Sequence, residues 1–234
     1  GTLADDGTFA YLSGDSDVHW RTDCADESTD QVWRADEEIT SVAIASGGIL
    51  VGTRDGKIER YSTAYGEVRV LFEAPRREPM TAVVAAADGS LVAGSATGRV
   101  YLMRRQEAGG AWRRLPDGER VEAVALSEDG ETVAVSRSDG HTEVYILSRS
   151  LSKPIFSLDH DQNIERLSFS RDGYLLGAQT PDGRLSVYRV PDGQLLTEEA
   201  SCPYSASLEV TDGAHRRSCP FCRGRLAAEH ERRH

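Results

Sequence analysis

Residues 164–196, IERLSFSRDGYLLGAQTPDGRLSVYRVPDGQLL, decide the fold. Three short alternating runs, LSFS, YLLGAQ and RLSVYRV, are separated by Asp172-Gly173, Asp182-Gly183 and Asp192-Gly193. An aspartate-glycine pair between runs of period two is a strong hairpin signal, because glycine takes the positive φ that a tight turn demands. The stretch predicts an antiparallel meander. It holds no nucleophile, metal cage or phosphate loop, so it defines an architecture and not a chemistry.

The unit recurs along the chain. Glycines of the first turn fall at Gly7, Gly48, Gly89, Gly130, Gly173 and Gly213, spaced 41, 41, 41, 43 and 40 residues apart. Those of the second turn, Gly14, Gly56, Gly98, Gly140, Gly183 and Gly224, keep the same beat at 42, 42, 42, 43 and 41. With a third turn in several copies, each unit divides into four strands of about five residues. A period of about 40–45 residues with four strands is what a propeller blade requires. A lone four-stranded meander leaves both faces bare, whereas blades stacked around an axis cover one another.

The pieces FSRDGYLL, DGRLSVYRV, ALSEDGETVAVSRSDG and VAAADGSLVAGSATGRVYLM resemble the WD-repeat β-propellers over residues 2–200. No copy carries the Trp-Asp dipeptide, and the Gly-His pair expected before the first strand survives only as Asp159-His160-Asp161, so the resemblance is to a divergent member. The expected fold is all-β, a propeller of about five four-stranded blades over 1–37, 38–75, 76–118, 119–161 and 162–200. The first unit is short of its innermost strand. Residues 205–210, SASLEV, align with SVAIAS and MTAVVA and are expected to close the ring within residues 1–210; the competing expectation is a degenerate sixth blade made from the C-terminal segment.

The 234 residues carry a formal net charge of -11. The charge is uneven: residues 214–234 hold six arginines against two glutamates, a net of +4, so the remainder stands at -15. An acidic body disfavours non-specific nucleic-acid binding over most of the surface. Only Lys57 and Lys153 are lysines, the bias of a GC-rich, prokaryotic genome. The longest apolar run, residues 82–87, is far too short to span a membrane, and the expectation is a soluble, cytoplasmic chain.

Residues 211–234 form a basic tail containing Cys and His. Within it, Cys219-Pro-Phe-Cys222 resembles one knuckle of a zinc ribbon, where two thiolates reach one tetrahedral ion. The second knuckle is damaged, because Ser205 stands where the partner of Cys202 is expected. Zinc is possible through Cys202, His215, Cys219 and Cys222, or with His230 and His234 completing the pair; the alternative is a reduced thiol pair. Bound zinc would be structural, since four protein ligands leave no open position for water.

The leading expectation for function is a non-enzymatic scaffold that binds a protein partner through its inter-strand loops. Resemblance to WD-type propellers points to the face formed by the d–a loops, residues 36–38, 76–78 and 160–162, and the b–c turns, 54–55, 97, 139 and 182. The candidate contacts are Arg54, Asp55, Arg76, Arg77, Glu78, Asp139, His160 and Asp182. Isolated aspartates in such turns are better explained by turn chemistry than by catalysis. Two other classes stay open: nucleic-acid binding through the basic tail, and a hydrolase or lyase in the central channel, where Glu122 and Glu165 are the inner carboxylates. No membrane partner and no small-molecule substrate is inferred.

Overall fold

The chain follows the turn chemistry of its repeats. The computed structural model describes residues 2–3, 8–22, 30–45, 47–104, 112–149, 151–200, 207–208 and 217–218. Ser127 and Ser170 each donate to an aspartate two residues on, Asp129 at 2.6 Å and Asp172 at 2.5 Å, and the same aspartates accept the backbone N–H of Glu131 and Tyr174. These local bonds satisfy the turn backbone and reverse the chain.

Five four-stranded antiparallel sheets result, each in sequence order. The first blade is β1 (Thr2–Leu3), β2 (Phe9–Ser13), β3 (Asp17–Arg21) and β4 (Gln31–Arg34). The second is β5 (Ile39–Ala45), β6 (Gly48–Thr53), β7 (Lys57–Tyr61) and β8 (Val68–Glu73). The third is β9 (Met80–Ala85), β10 (Leu91–Ser95), β11 (Val100–Met103) and β12 (Trp112–Arg114). The fourth is β13 (Val121–Leu126), β14 (Thr132–Arg137), β15 (His141–Ile146) and β16 (Phe156–Asp159), and the fifth is β17 (Arg166–Phe169), β18 (Leu175–Gln179), β19 (Arg184–Arg189) and β20 (Gln194–Ala200). Two short strands, β21 (Ser207–Leu208) and β22 (Arg217–Ser218), pair with each other. The described residues contain no helix.

The inner strands β5, β9, β13 and β17 lie side by side. Blades pack face to face through apolar side chains: Val18, Trp20 and Trp33 on Ile49 and Val51; Leu50 and Ile58 on Leu91 and Tyr101; Val92 and Leu102 on Val133, Val135 and Tyr145; Val144 on Leu176. Fully burying one such side chain contributes about 1.5–3 kcal/mol. One tyrosine on the third strand of each of the last four blades, Tyr61, Tyr101, Tyr145 and Tyr188, points back toward the preceding blade. Tyr61 stacks on Trp33 with centroids 4.8 Å apart, and Tyr101 meets Phe72 at 4.6 Å. Burial pushes the hydroxyls of Tyr101 and Tyr145 up to about 12.

In the first blade, the innermost place is held by Thr2–Leu3, which pairs with Phe9 and Ala10. Ser207–Leu208, the described part of the expected closing segment, pairs instead with Arg217–Ser218. A strand a few residues away is recruited at smaller loop-closure cost than one some two hundred residues distant. The rest of 205–210 lies outside the described residues, as do Cys202, His215, Cys219, Cys222, His230 and His234.

Candidate interaction face

The d–a loops and b–c turns share one face and are locked to each other by backbone hydrogen bonds. In the second, third and fourth blades each b–c turn is tied to the loop before it: Arg54 N–H donates to Glu38 O at 2.8 Å, Ala96 N–H to Pro79 O at 2.9 Å, and Ser138 N–H to Arg120 O at 2.9 Å. Each is also tied to the chain leaving its own blade, through Ala74 N–H to Gly56 O at 2.9 Å, Gly118 N–H to Gly98 O at 3.3 Å, and His160 N–H to Gly140 O at 3.0 Å. The approach is so close that a Cβ built on Gly98 would stand 1.8 Å from Gly118 O.

The second-strand end of three blades carries a hydroxyl that organises its turn. Thr53 donates to Asp55 at 2.6 Å and accepts from Lys57 N–H, Ser95 accepts from Arg99 N–H, and Thr180 donates to Asp182 and accepts from Arg184 N–H. In the fourth blade the equivalent residue is Arg137, only 4% exposed, and it reaches out of its own turn. Its guanidinium donates to Gly98 O at 3.0 Å, Glu119 O and Pro116 O at 3.1 Å, and the Glu143 carboxylate at 2.9 Å. One side chain thereby ties the fourth blade to the turn and outgoing loop of the third.

The expected contact residues do not share one environment. Arg54 is exposed and paired with Glu38 at 2.6 Å. Asp55 is partly buried; burial raises its carboxyl, but hydrogen bonds from Lys57 and Thr53 outweigh that and hold it below the usual range. Arg76 and Arg77 are exposed, and Arg77 holds a left-handed φ of 50°, a strained conformation for a non-glycine residue. Glu78 departs from its assignment as a surface contact. It is 3% exposed, and its carboxylate accepts from Tyr101, Arg99 and Thr97. A carboxylate removed from water needs such donors, so Glu78 anchors the loop from beneath.

Asp139 and Asp182 are exposed turn residues that accept backbone N–H groups from His141 at 3.1 Å and Arg184 at 3.3 Å. The hydrogen bond from the Thr180 hydroxyl holds Asp182 below the usual carboxylate range. His160 is half-buried, with Nδ1 3.4 Å from the Tyr188 hydroxyl and Nε2 without a partner among the described residues. Burial pushes its imidazole down from 6.5 against the pull of Asp159 and Asp161.

Between these loops lies a cavity of about 350 Å³ ringed by Glu38, Arg54, Pro79, Thr81, Ala96 and Arg120. The central channel forms a second cavity of about 510 Å³, lined by the inner strands of all five blades. Its hydroxyls serve the frame: Thr40 donates to Met80 O, and Thr81 donates to Val121 O at 2.6 Å, stapling β5 to β9 and β9 to β13. Glu122 pairs with Arg120 at 3.2 Å. Glu165 also lines the channel, and among the described lining residues there is no histidine or cysteine.

Fold and repeat define a β-propeller of WD-repeat-like type. No family model matches the sequence. The chain is 26% identical over 160 residues to the WD repeat-containing protein SL1-17 of Schistosoma mansoni, an alignment covering 68% of this chain and 52% of that protein. It superposes on a chain in the crystal structure of the mitotic checkpoint complex with a TM-score of 0.71 at 15% identity, covering 85% of this chain and 62% of the other. This chain thus spans about half the length of the curated relative it matches. The described residues include no helix long and apolar enough to cross a membrane, and no cluster of three or more histidine, cysteine or acidic side chains suited to a metal ion.

Proposed function

We propose that this chain is a non-enzymatic scaffold that binds a protein partner with the face carrying its d–a loops and b–c turns. The observation that carries the reading is the interlocking of those loops: hydrogen-bonded turns and loops of the second to fourth blades present Arg54, Arg76, Arg77 and Asp139 from fixed positions, with Arg54 on the rim of a cavity and Asp182 held within its own turn. A surface already ordered loses little conformational freedom on binding, so more of its contact energy appears as affinity. The exposed arginines favour an acidic segment on the partner, fitted against a rim that also carries Glu38, Asp139 and Asp182. WD-repeat resemblance supports the reading, as does the likeness to a chain crystallised within a multi-protein complex.

The test is affinity capture with the full chain and two charge-reversed variants, followed by mass spectrometry. A partner retained by wild type and by Arg149→Glu, on the opposite face, but lost by Arg76→Glu/Arg77→Glu supports the assignment. A partner that survives reversal at Arg76 and Arg77 but is lost at Arg149 moves the contact to the other side of the disc.

A further inference from the structure

Blades two to five each present one face to the blade before. On the fifth that face carries Leu176, Ala178 and Tyr188, which pack with residues of the fourth blade and of the loop leading from it. The register puts Leu175, Gln179, Leu185 and Val187 on the other side. That side is turned away from the fourth blade, yet Leu185, Val187 and Gln179 are only 3%, 1% and 5% exposed. Leu175, Leu185 and Val187 make an apolar cluster of their own, with no first-blade residue among its described members.

The first blade does not offer a matching surface. Where later blades present aliphatic side chains and a tyrosine to the blade before, it presents Phe9, Tyr11, His19 and Arg21. Tyr11 stacks on His19 at 4.8 Å, and Asp30 bonds His19 Nδ1 at 2.9 Å and Arg21 Nε at 3.0 Å. Val32, on the same side of that sheet, is 52% exposed. That side therefore mixes aromatic rings with an ion-pair network, unlike the aliphatic faces through which the later blades pack.

β21 touches β17, the innermost strand of the fifth blade, and pairs antiparallel with β22 as a first strand pairs with a second. We propose that β21 and β22 begin a sixth, rudimentary blade that seats on the Leu175, Leu185 and Val187 face, so that the propeller continues past its fifth blade instead of closing the fifth directly onto the first. The occupant of that apolar face is this chain's own segment around Ser207–Leu208 and Arg217–Ser218.

Hydrogen exchange on the full chain tests this. The amides of 207–208 and 217–218 should exchange at least tenfold more slowly than free-chain rates, and free-chain exchange there would overturn the proposal. Leu208→Pro removes a ladder N–H and should lower the urea midpoint and speed exchange in 175–190 at least tenfold while leaving 121–147 unchanged. Val187→Ala should cost less in the Leu208→Pro background than alone. Unchanged exchange in 175–190, or fully additive costs, would show that something else covers Val187.

Discussion

Replacing Arg137 by methionine keeps the length and apolar stem of the side chain and deletes its five donors. Four hydrogen bonds vanish together, three of them to backbone carbonyls of Gly98, Pro116 and Glu119. Glu143, with a side chain 24% exposed, loses its counter-charge but keeps some access to water. Breaking a buried, hydrogen-bonded charge pair by removing one partner costs about 3–5 kcal/mol. The partial exposure of Glu143 puts the expected cost near the lower bound, roughly 3 kcal/mol. For a chain of this size that is on the order of 10 °C in midpoint. Urea unfolding of wild type, Arg137→Met and Arg137→Lys measures it. Lysine keeps the charge without the planar fork and should recover less than half of the loss. Because the side chain holds the turn at Gly98 and the loop at 116–119, Arg137→Met should also weaken partner capture without touching the partner. A methionine variant within about 0.5 kcal/mol of wild type, the scatter of ordinary surface substitutions, would refute the inter-blade anchor.

Four further tests follow, three of them from particular contacts. Gly98→Ala sets a Cβ against Gly118 O at a φ of +82°, and should lower stability by roughly 2 kcal/mol or more in urea melts, above the ordinary cost of left-handed alanine; a neutral result would mean that the loops are not in contact. Thr142 is fully buried with a hydroxyl that has no partner among the described residues, so Thr142→Val should be at least as stable as wild type, and a clear loss by calorimetry would reveal a missed partner. Burial holds the His160 imidazole below its ordinary 6.5 in the folded chain, so the native state binds fewer protons than the unfolded one as pH falls; its contribution is complete above the unfolded value and is lost as pH drops through and below it. His160→Gln should shrink the fall in urea midpoint between pH 7.5 and 5.5, and an identical fall in both proteins would assign it to other groups. Metal content by mass spectrometry on tag-free reduced protein decides between zinc and a reduced thiol pair at Cys219 and Cys222: one zinc per chain, lost in Cys219→Ser/Cys222→Ser, would support that ligand set, and a metal-free wild type would dismiss it.

Blade architecture was legible because it depends on short-range chemistry. A glycine every 42–43 residues marks the b–c turns of all five blades, and each hairpin forms from residues near one another in sequence. The face of Arg54, Arg76 and Asp182 was legible for the same reason: strand order assigns every loop to one end of the disc. Glu78 was not, since its donors Thr97, Arg99 and Tyr101 lie 19 to 23 residues away and converge only when blades stack. A loop glutamate ordinarily reads as solvated. Arg137 could have been found by aligning the repeats, because it breaks a column otherwise held by Thr53, Ser95 and Thr180. The innermost strand of the first blade escaped notice because Thr2–Leu3 is two residues long, too short to show alternation.

The most direct test of the account is the footprint of a captured partner, read by hydrogen exchange on the full chain. Binding through the interlocked face predicts slower exchange in 36–38, 54–56, 76–79, 117–120, 138–140 and 160–162, with no change at the opposite turns 87–89, 128–130, 171–173 and 191–193. Protection confined to those opposite turns, or to the outer strands β8 and β20, would contradict it.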